Sequence, residues 1–214
     1  MTSHLARALR FTAIAAVCAL SLPGQLFAGP IVSFTGTSGQ NLGNPPFTLG
    51  FEFTADADLL VSALGVFDDD LDGLVNNFSV GLWNAGGTLL ASTTVPNGTA
   101  ASLTDQFRYV DIVPVLLAGG QNYRLGALYL SGIDALIFSS TSISGFGTDA
   151  NVTFAGSRFA GGGVLADPTS DGGSSAQYFG PNAIVNPVPE PASLTLLGTG
   201  LLAAWRARRK IGRS

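Results

Sequence analysis

The sequence has almost none of the side chains on which most enzymes depend. It contains one histidine, His4, and one cysteine, Cys18, and both precede residue 29. Residues 29–188 therefore contain neither a Ser-His-Asp nor a Cys-His catalytic group, and no zinc site built from the usual ligands. Because the only cysteine lies outside them, these residues form no intramolecular disulfide. We expect no enzymatic activity from this part of the chain.

Paired carboxylates are the catalytic arrangement that the composition still allows. Two acidic side chains flanking a glycosidic bond are enough to hydrolyse it. The spacing along the chain singles out no such pair, and acidic residues on a protein surface usually serve solvation. The available candidates are Glu52, Asp56, Asp58, Asp105 and Asp111.

Basic residues are also rare between residues 29 and 188. Three arginines stand against thirteen acids there, which gives this region a formal charge of −10. A surface of this charge repels nucleic acid and anionic lipid and attracts cations. We therefore expect no nucleic-acid partner.

The first 28 residues have the three-part layout of a secretory signal peptide. Arg7 and Arg10 form a basic start, an apolar run covers residues 11–22, and Ala28 supplies a small residue at the predicted cleavage position. The alternative is a membrane anchor that is retained, although the run is short for a span. Cleavage after Ala28 would remove both His4 and Cys18.

Apolar segments of strand length recur between residues 29 and 180. Their alternating pattern and their spacing by Gly, Asn, Asp and Pro predict an all-β domain, an antiparallel β-sandwich of jelly-roll or immunoglobulin-like type. Asn84, Ala85, Gly86 and Gly87 predict a hairpin turn. The composition of residues 161–175 predicts a long loop, and that of residues 181–187 a linker. The predicted strands are 47–54, 59–67, 78–83, 88–95, 107–117 and 122–130, with shorter candidates at 135–138, 152–154 and 177–179.

Residues 188–214 carry a different signal. Pro189, Glu190 and Pro191 precede an apolar run, residues 192–205, and a basic cluster follows at Arg206, Arg208, Arg209 and Lys210. A helix over 14 residues covers about 21 Å, which is less than the roughly 30 Å of a bilayer core. The basic flank nevertheless favours a single short membrane helix with a cytoplasmic C-terminus, because such charges snorkel and obey the positive-inside rule. We expect this helix to stop the transfer of the chain and to reside in the inner membrane only transiently.

This combination resembles the PEP-CTERM sorting signal of bacterial envelope proteins. The resemblance covers residues 188–213 and implies that exosortase, a membrane protease-transpeptidase, processes the tail after the export machinery has moved the chain across the inner membrane. The tail would then be a processing address that the mature protein loses, as in a GPI signal. The expected location is the cell envelope or cell surface, or the medium after processing.

The central block of the chain carries a second resemblance. "LGVFDDDLDGLVNNFSVGLWNAGGTLLASTTV", followed by "FRYVDIVPVLLAGGQNYRLGA", is similar to the bacterial extracellular β-sandwich modules of the DUF4082 kind. The similarity covers roughly residues 47–130. It supports the predicted fold and implies no chemistry.

One short motif points to a metal. Asp68, Asp70 and Asp72 stand two residues apart, with Gly73 next, which matches the first half of a calcium loop. Calcium takes six to eight oxygen ligands, and alternating aspartates in a tight turn can supply several. The twelfth position of an EF-hand would be Ser79 instead of glutamate, so this is not an EF-hand. A solvated acidic turn is the alternative interpretation.

These observations favour an exported, surface-sorted protein without enzymatic activity, with a structural or adhesive role in the envelope or extracellular polymer matrix. The alternative is a carbohydrate-binding module that acts on exopolysaccharide. Its sugar platform would be built from aromatic side chains, although burial in the core is the more common use of these residues. The aromatic candidates are Trp83, Phe107, Tyr109, Tyr123 and Tyr129.

Overall fold

The computed structural model describes residues 28–36, 46–130, 143–173, 178–189, 198–200 and 202. Thirteen strands lie within them, and the described part outside the strands is mostly turns and irregular connections. The strands are β1 (Gly29–Pro30), β2 (Val32–Gly36), β3 (Phe47–Ala55), β4 (Leu59–Phe67), β5 (Phe78–Asn84), β6 (Leu89–Val95), β7 (Ser102–Thr104), β8 (Phe107–Leu117), β9 (Gln121–Tyr129), β10 (Ile143–Thr148), β11 (Val152–Gly161), β12 (Ser170–Asp171) and β13 (Pro181–Pro187).

The strands form antiparallel sheets that pack as a sandwich, which confirms the predicted fold class. One sheet has the order β1-β13-β4-β8-β7, and the other has the order β12-β11-β3-β9-β5-β6. β4 and β8 of the first sheet contact β5 and β6 of the second. A separate pair, β2 and β10, adds Phe34 to the core beside Phe67 and Phe107.

Alternation along β3 and β9 shows why these segments form strands of a sandwich. Leu49, Phe51 and Phe53 are buried on one face of β3, while Glu52 points to the other face. Opposite them on β9 lie Tyr123, Leu125 and Ala127, which are also buried. The period of two residues therefore places one face of each strand in the core.

The strands predicted at 47–54, 59–67, 78–83, 88–95, 107–117 and 122–130 are confirmed as β3, β4, β5, β6, β8 and β9. The hairpin between β5 and β6 is also confirmed: the N–H of Gly87 donates to the carbonyl of Asn84 (3.0 Å), and Gly87 has a φ of 82°. The candidate at 152–154 is the start of the longer β11. The candidate at 135–138 lies outside the described residues, and Tyr178 and Phe179 do not form a strand.

The prediction of a linker at residues 181–187 is wrong, and the sandwich extends beyond residue 180. These residues form β13, which lies between β1 and β4 in the five-stranded sheet. Ala183 and Val185 are completely buried. The two prolines that suggested a linker stand at the ends of the strand, where a missing N–H interrupts no interior hydrogen bond.

Two amide side chains attach β2 to the five-stranded sheet. Val32 donates its N–H to Asn182 Oδ1 (3.2 Å) and accepts from Asn182 Nδ2 (2.8 Å). Gly36 makes the same pair of bonds with Gln106, at 2.9 and 2.8 Å. Each amide side chain thus pairs with the backbone N–H and C=O of one residue of β2, as the backbone of a neighbouring strand would.

The described part of the predicted loop at 161–175 runs over the outer face of the six-stranded sheet. Gly161 ends β11 and Ser170–Asp171 forms β12, so residues 162–169 are irregular, as predicted. Asp167 binds Arg124 of β9 at 2.6 Å. Pro168 packs on Gly126, where a Cβ would lie 3.1 Å from the Pro168 ring. The absence of a side chain at Gly126 lets this segment lie flat on the sheet.

Candidate functional site

The aspartate-rich turn connects β4 to β5. Asp68 follows the last residue of β4, and its N–H donates to the carbonyl of Gln106 (2.8 Å). Leu71 and Gly73 both have positive φ, 66° and 116°, and reverse the chain there. Leu74 then pairs with Gly98 in an isolated bridge, which ties the turn to the connection between β6 and β7.

The structure brings the three predicted metal ligands together. One carboxylate oxygen each from Asp68, Asp70 and Asp72 lies within 4.8 Å of the others. Asp68 is buried, whereas Asp70 and Asp72 are exposed. The hydrogen bond that protonated Asp72 donates to the Asp70 carboxylate, and then the Asp70 charge, raise the pKa of Asp72 above its ordinary value. Proximity between these carboxylates is thus unfavourable while they are ionised and without a cation.

A cation of the protein itself already binds the buried side of this turn. Arg108 of β8 donates from Nε to Asp68 Oδ2 (2.7 Å) and from Nη2 to the carbonyl of Leu71 (3.1 Å). Its Nη1 faces the carbonyls of Thr99 (3.3 Å) and Ala101 (3.4 Å). A calcium ion would have to use Asp68 Oδ1 together with Asp70 and Asp72, close to the arginine charge. Calcium binding therefore stays a prediction.

Sequence reasoning missed the role of Arg108. The residue lies 40 positions from Asp68, and the pairing depends on the register that sets Phe107 opposite Phe67. The available signal was the scarcity of basic residues. When an acidic region contains only three arginines and no lysine, each arginine is a candidate for a buried or strand-bridging ion pair.

The sorting signal begins where the sandwich ends. The N–H of Val188 donates to the carbonyl of Asp58 (2.9 Å), and Pro189 is the next residue and is exposed. Glu190, Pro191, Arg206, Arg208, Arg209 and Lys210 lie outside the described residues. At the other end of the chain, Ala28 is exposed and immediately precedes β1.

The apolar run at 192–205 is described only at residues 198–200 and 202, which have helical backbone. Within the described parts of the chain, no helix is both long and apolar enough to cross a membrane. The single short membrane helix stays a prediction, as does cleavage after Ala28.

The aromatic candidates for a sugar platform are all buried. Trp83, Phe107, Tyr109, Tyr123 and Tyr129 are each exposed by 5% or less. The Trp83 ring lies over Gly81, where a Cβ would come within 2.4 Å of it. These side chains stabilise the sandwich, and none of the five offers an open ring face for a sugar.

Three of the acids considered for glycoside hydrolysis have structural contacts. Glu52 accepts from Arg158 Nε (2.8 Å) and from Asn122 (3.1 Å). Asp56 accepts from the Thr153 hydroxyl (2.8 Å), and Asp58 accepts from the N–H of Gly119 (2.8 Å). These bonds join strands and turns of the sandwich.

Comparison with known families agrees with this architecture. Residues 35–179 match the DUF4082 family, a domain of unknown function. The chain belongs to the DUF4082 family. Residues 187–210 match the PEP-CTERM protein-sorting motif. The DUF4082 match extends well beyond residues 47–130 and covers most of the sandwich, and the sorting motif supports an exported surface protein that exosortase processes.

No curated protein matches this DUF4082 chain. Among solved structures, the crystal structure of the infectious bursal disease virus VP2 subviral particle aligns at 12% identity with a TM-score of 0.26. The alignment covers 86% of this chain and 49% of the viral chain, so this chain spans about half the length of that protein. A likeness at this TM-score carries no argument.

Proposed function

We propose that this DUF4082 protein is an exported, surface-sorted sandwich that has no enzymatic activity and serves a structural or adhesive role in the bacterial envelope or extracellular polymer matrix. The observation that carries the proposal is the junction at Val188. The match to the sorting motif begins at Pro187, the last residue of β13, and its Pro-Glu-Pro triplet starts directly after the hydrogen-bonded Val188 without a spacer. The sandwich is therefore the part that this address delivers.

The use of the charged side chains supports a role without catalysis. All three arginines between residues 29 and 188 form ion pairs: Arg108 with Asp68, Arg124 with Asp167, and Arg158 with Glu52 and Asp171. The pairs with Asp68, Asp167 and Glu52 join segments at least 40 residues apart, and the pair with Asp171 joins the neighbouring strands β11 and β12. Catalytic acids and bases instead converge in a concave site where their pKa values are matched to a reaction.

The grooves in the described part of the sandwich also support this proposal. An open groove of about 340 Å³ between β6 and β8 is lined by apolar and hydroxyl side chains and by one acid, Asp111. A second groove of about 370 Å³, between the β7–β8 turn and the pair β2 and β10, contains one acid, Asp105. Neither groove presents the two facing carboxylates that glycoside hydrolysis requires.

Cells with and without exosortase provide the test. We expect the full chain to reach the surface fraction only when exosortase is present, and we expect its loss to reduce cell aggregation or matrix cohesion. A matched variant that ends after Pro189 keeps the sandwich but lacks the sorting tail, so it should be exported without being retained.

Assays of the purified protein on isolated exopolysaccharide separate the competing functions. Release of reducing sugar from isolated exopolysaccharide by the purified protein would contradict the proposal and favour an enzyme. Binding to that polymer without release would favour the carbohydrate-binding module. Unchanged surface location in the absence of exosortase would contradict the sorting part of the proposal.

A further inference from the structure

Both ends of the sandwich sequence leave the fold at the same place. β1 and β13 are antiparallel neighbours, with Gly29 opposite Val185. The start of β1 and the end of β13 therefore lie at one end of the sheet. Four turns share this end, namely residues 56–58 between β3 and β4, residues 85–88 between β5 and β6, residues 118–120 between β8 and β9, and residues 149–151 between β10 and β11. We call this surface the exit end.

Hydrogen bonds join the turns of the exit end into one surface. The N–H of Asp56 donates to Asn151 O (2.8 Å), and the N–H of Gly120 donates to Ala55 O (2.7 Å). The N–H of Asp149 donates to Ile31 O (3.0 Å), next to β1. Movement of one turn would break bonds to the others, so the exit end keeps a fixed orientation relative to the strands.

The opposite end of the sandwich carries the aspartate-rich turn. That turn follows Phe67 at the end of β4, whereas Leu59 at the start of β4 pairs with Leu117 at the exit end. The connection between β6 and β7, residues 96–101, lies beside it through the bridge from Leu74 to Gly98. We call this surface the far end. Eight steps of about 3.3 Å along β4 separate the two ends by about 26 Å.

The lengths of the connecting segments limit where the exit end lies. Three residues, 189–191, separate Val188 from the apolar run that begins at Ala192. An extended chain advances by at most about 3.6 Å per residue, so this connection reaches about 14 Å. Six residues, 23–28, connect the first apolar run to Gly29 and reach about 25 Å by the same measure. The far end is about 26 Å more distant.

We propose that the exit end faces the membrane lipid in the unprocessed protein and that the far end, with Asp68, Asp70 and Asp72, is the surface presented outward. The proposal rests on the export and sorting in the proposed function, together with the expectation that both apolar runs occupy the membrane before processing. It also means that the sandwich can reach its complete fold while both runs are still attached, because neither connection has to cross the length of the sandwich.

The acidic charge of the exit end indicates that the short segments leading to the apolar runs, and not attraction to lipid, keep this end at the membrane. Asp56, Asp58 and Asp149 lie in its turns, whereas Arg124, which donates to the carbonyls of Asn84 and Ala85 in the β5–β6 turn, is paired with Asp167. Anionic lipid headgroups repel such a surface. Once both apolar runs are cut off, the exit end should leave the membrane.

Single cysteines on a Cys18→Ser full chain test this orientation, because Cys18 is the only native cysteine. Ala118→Cys and Ala150→Cys place a label at the exit end, and Ala100→Cys places a matched label at the far end; all three alanines are exposed. With the chain inserted in vesicles that carry an energy-transfer acceptor on the headgroups, both exit-end labels should transfer several times more energy than the far-end label. Equal transfer, or more from Ala100→Cys, would overturn the proposal.

Vesicle flotation separates this inference from the function on which it rests. A full chain that does not float with the vesicles contradicts membrane insertion, and it overturns both proposals. A chain that floats and shows equal transfer from all three labels overturns the orientation alone. Thermal melts of each labelled variant test whether the sandwich is intact. Agreement in energy transfer between Ala118→Cys and Ala150→Cys tests whether the result depends on a single labelled position.

Discussion

At the scale of single residues, the aspartate-rich turn is under electrostatic strain that one substitution should relieve. Asp70 raises the pKa of Asp72 through a hydrogen bond and through its charge. The folded state then binds a proton more tightly than the unfolded state. Stability contributed by this pair therefore increases as the pH falls through the folded pKa of Asp72, and it is absent above that pH.

We predict that Asp70→Asn stabilises the protein at neutral pH in the absence of calcium. The difference in stability between this variant and the wild type should become smaller at acid pH, where Asp72 is protonated. Thermal unfolding between pH 7 and pH 4 measures both effects. Asp171→Asn is a suitable control, because Asp171 is exposed but pairs with Arg158. Loss of stability in Asp70→Asn at neutral pH would show that the carboxylate is needed for the fold.

With calcium bound, Asp70→Asn should make the protein less stable than the wild type, because the variant loses a ligand. If Asp68, Asp70 and Asp72 share an ion, a hundredfold excess over the dissociation constant adds about 2.7 kcal/mol to the folded state. The midpoint of unfolding should then rise by roughly 5–10 °C. Millimolar calcium is required, with magnesium as the control for charge screening. Equal shifts with both ions, retained in Asp70→Asn, would identify a solvated acidic turn.

Tyr109 carries a second residue-scale effect. Its side chain is buried, and its hydroxyl has no hydrogen-bond partner among the described residues. Burial, and then the charge of Asp105, raise the pKa of Tyr109 well above 10.0. Above pH 10 the unfolded chain loses this proton while the folded chain keeps it, so stability falls as the pH rises.

We predict that Tyr109→Phe is neutral or stabilising at pH 7 and weakens the alkaline loss of stability. Tyr123→Phe is the matched control, because the Tyr123 hydroxyl accepts from the N–H of Ala118 (2.8 Å). It should cost about 0.5–1.5 kcal/mol, the net value of one hydrogen bond, because the N–H of the exposed Ala118 can bond water instead. Denaturant unfolding at pH 7 and at pH 10–11 measures both variants, and a larger cost for Tyr109→Phe would contradict the assignment.

At the scale of elements, β13 is the strand whose importance was least visible in the sequence. It fills the position between β1 and β4, and its buried residues face the core. Without it, β4 would lose one partner and expose a row of unpaired backbone groups. The last strand in sequence is thus an interior strand of its sheet.

We predict that residues 29–189 fold with a cooperative transition and that residues 29–180 do not. The shorter chain lacks Val185 and Asn182, so it loses core packing and the attachment of β2. Near-ultraviolet circular dichroism and thermal melts compare the two chains. Identical melting curves would show that the fold does not require β13.

At the scale of the whole molecule, the two ends of the sandwich lie where the sorting motif and the predicted signal peptide would be processed. Ala28 and Pro189 are exposed and lie directly outside β1 and β13. Cleavage near either position would leave every strand intact. A cut a few residues further inside would remove part of β1 or β13.

Mass spectrometry of the surface form should show a chain that starts near Gly29 and has lost the tail beyond about Glu190. Cells without exosortase should instead retain residues 206–214. An intact basic cluster on the surface form would contradict processing of the tail, whereas a chain that ends before Pro187 would contradict the role of β13.

The sequence alone determined the fold class, most of the long strands and the C-terminal sorting motif. Each of these depends on local pattern: alternation over five to eleven residues, turn residues such as Asn84 and Gly87, or the order of a short motif, an apolar run and a basic cluster. The convergence of Asp68, Asp70 and Asp72 also followed from local spacing in a tight turn. Such signals need no knowledge of distant residues.

Only the tertiary structure decided the features that depend on pairing across the chain. Residues 181–187 have weak alternation and two prolines, and they become a strand because β4 on one side and β1 on the other supply hydrogen-bond partners. Arg108 meets Asp68 because β8 pairs with β4 in one register. The exit end exists because the first and last strands are neighbours, a contact across about 155 residues that no local pattern encodes.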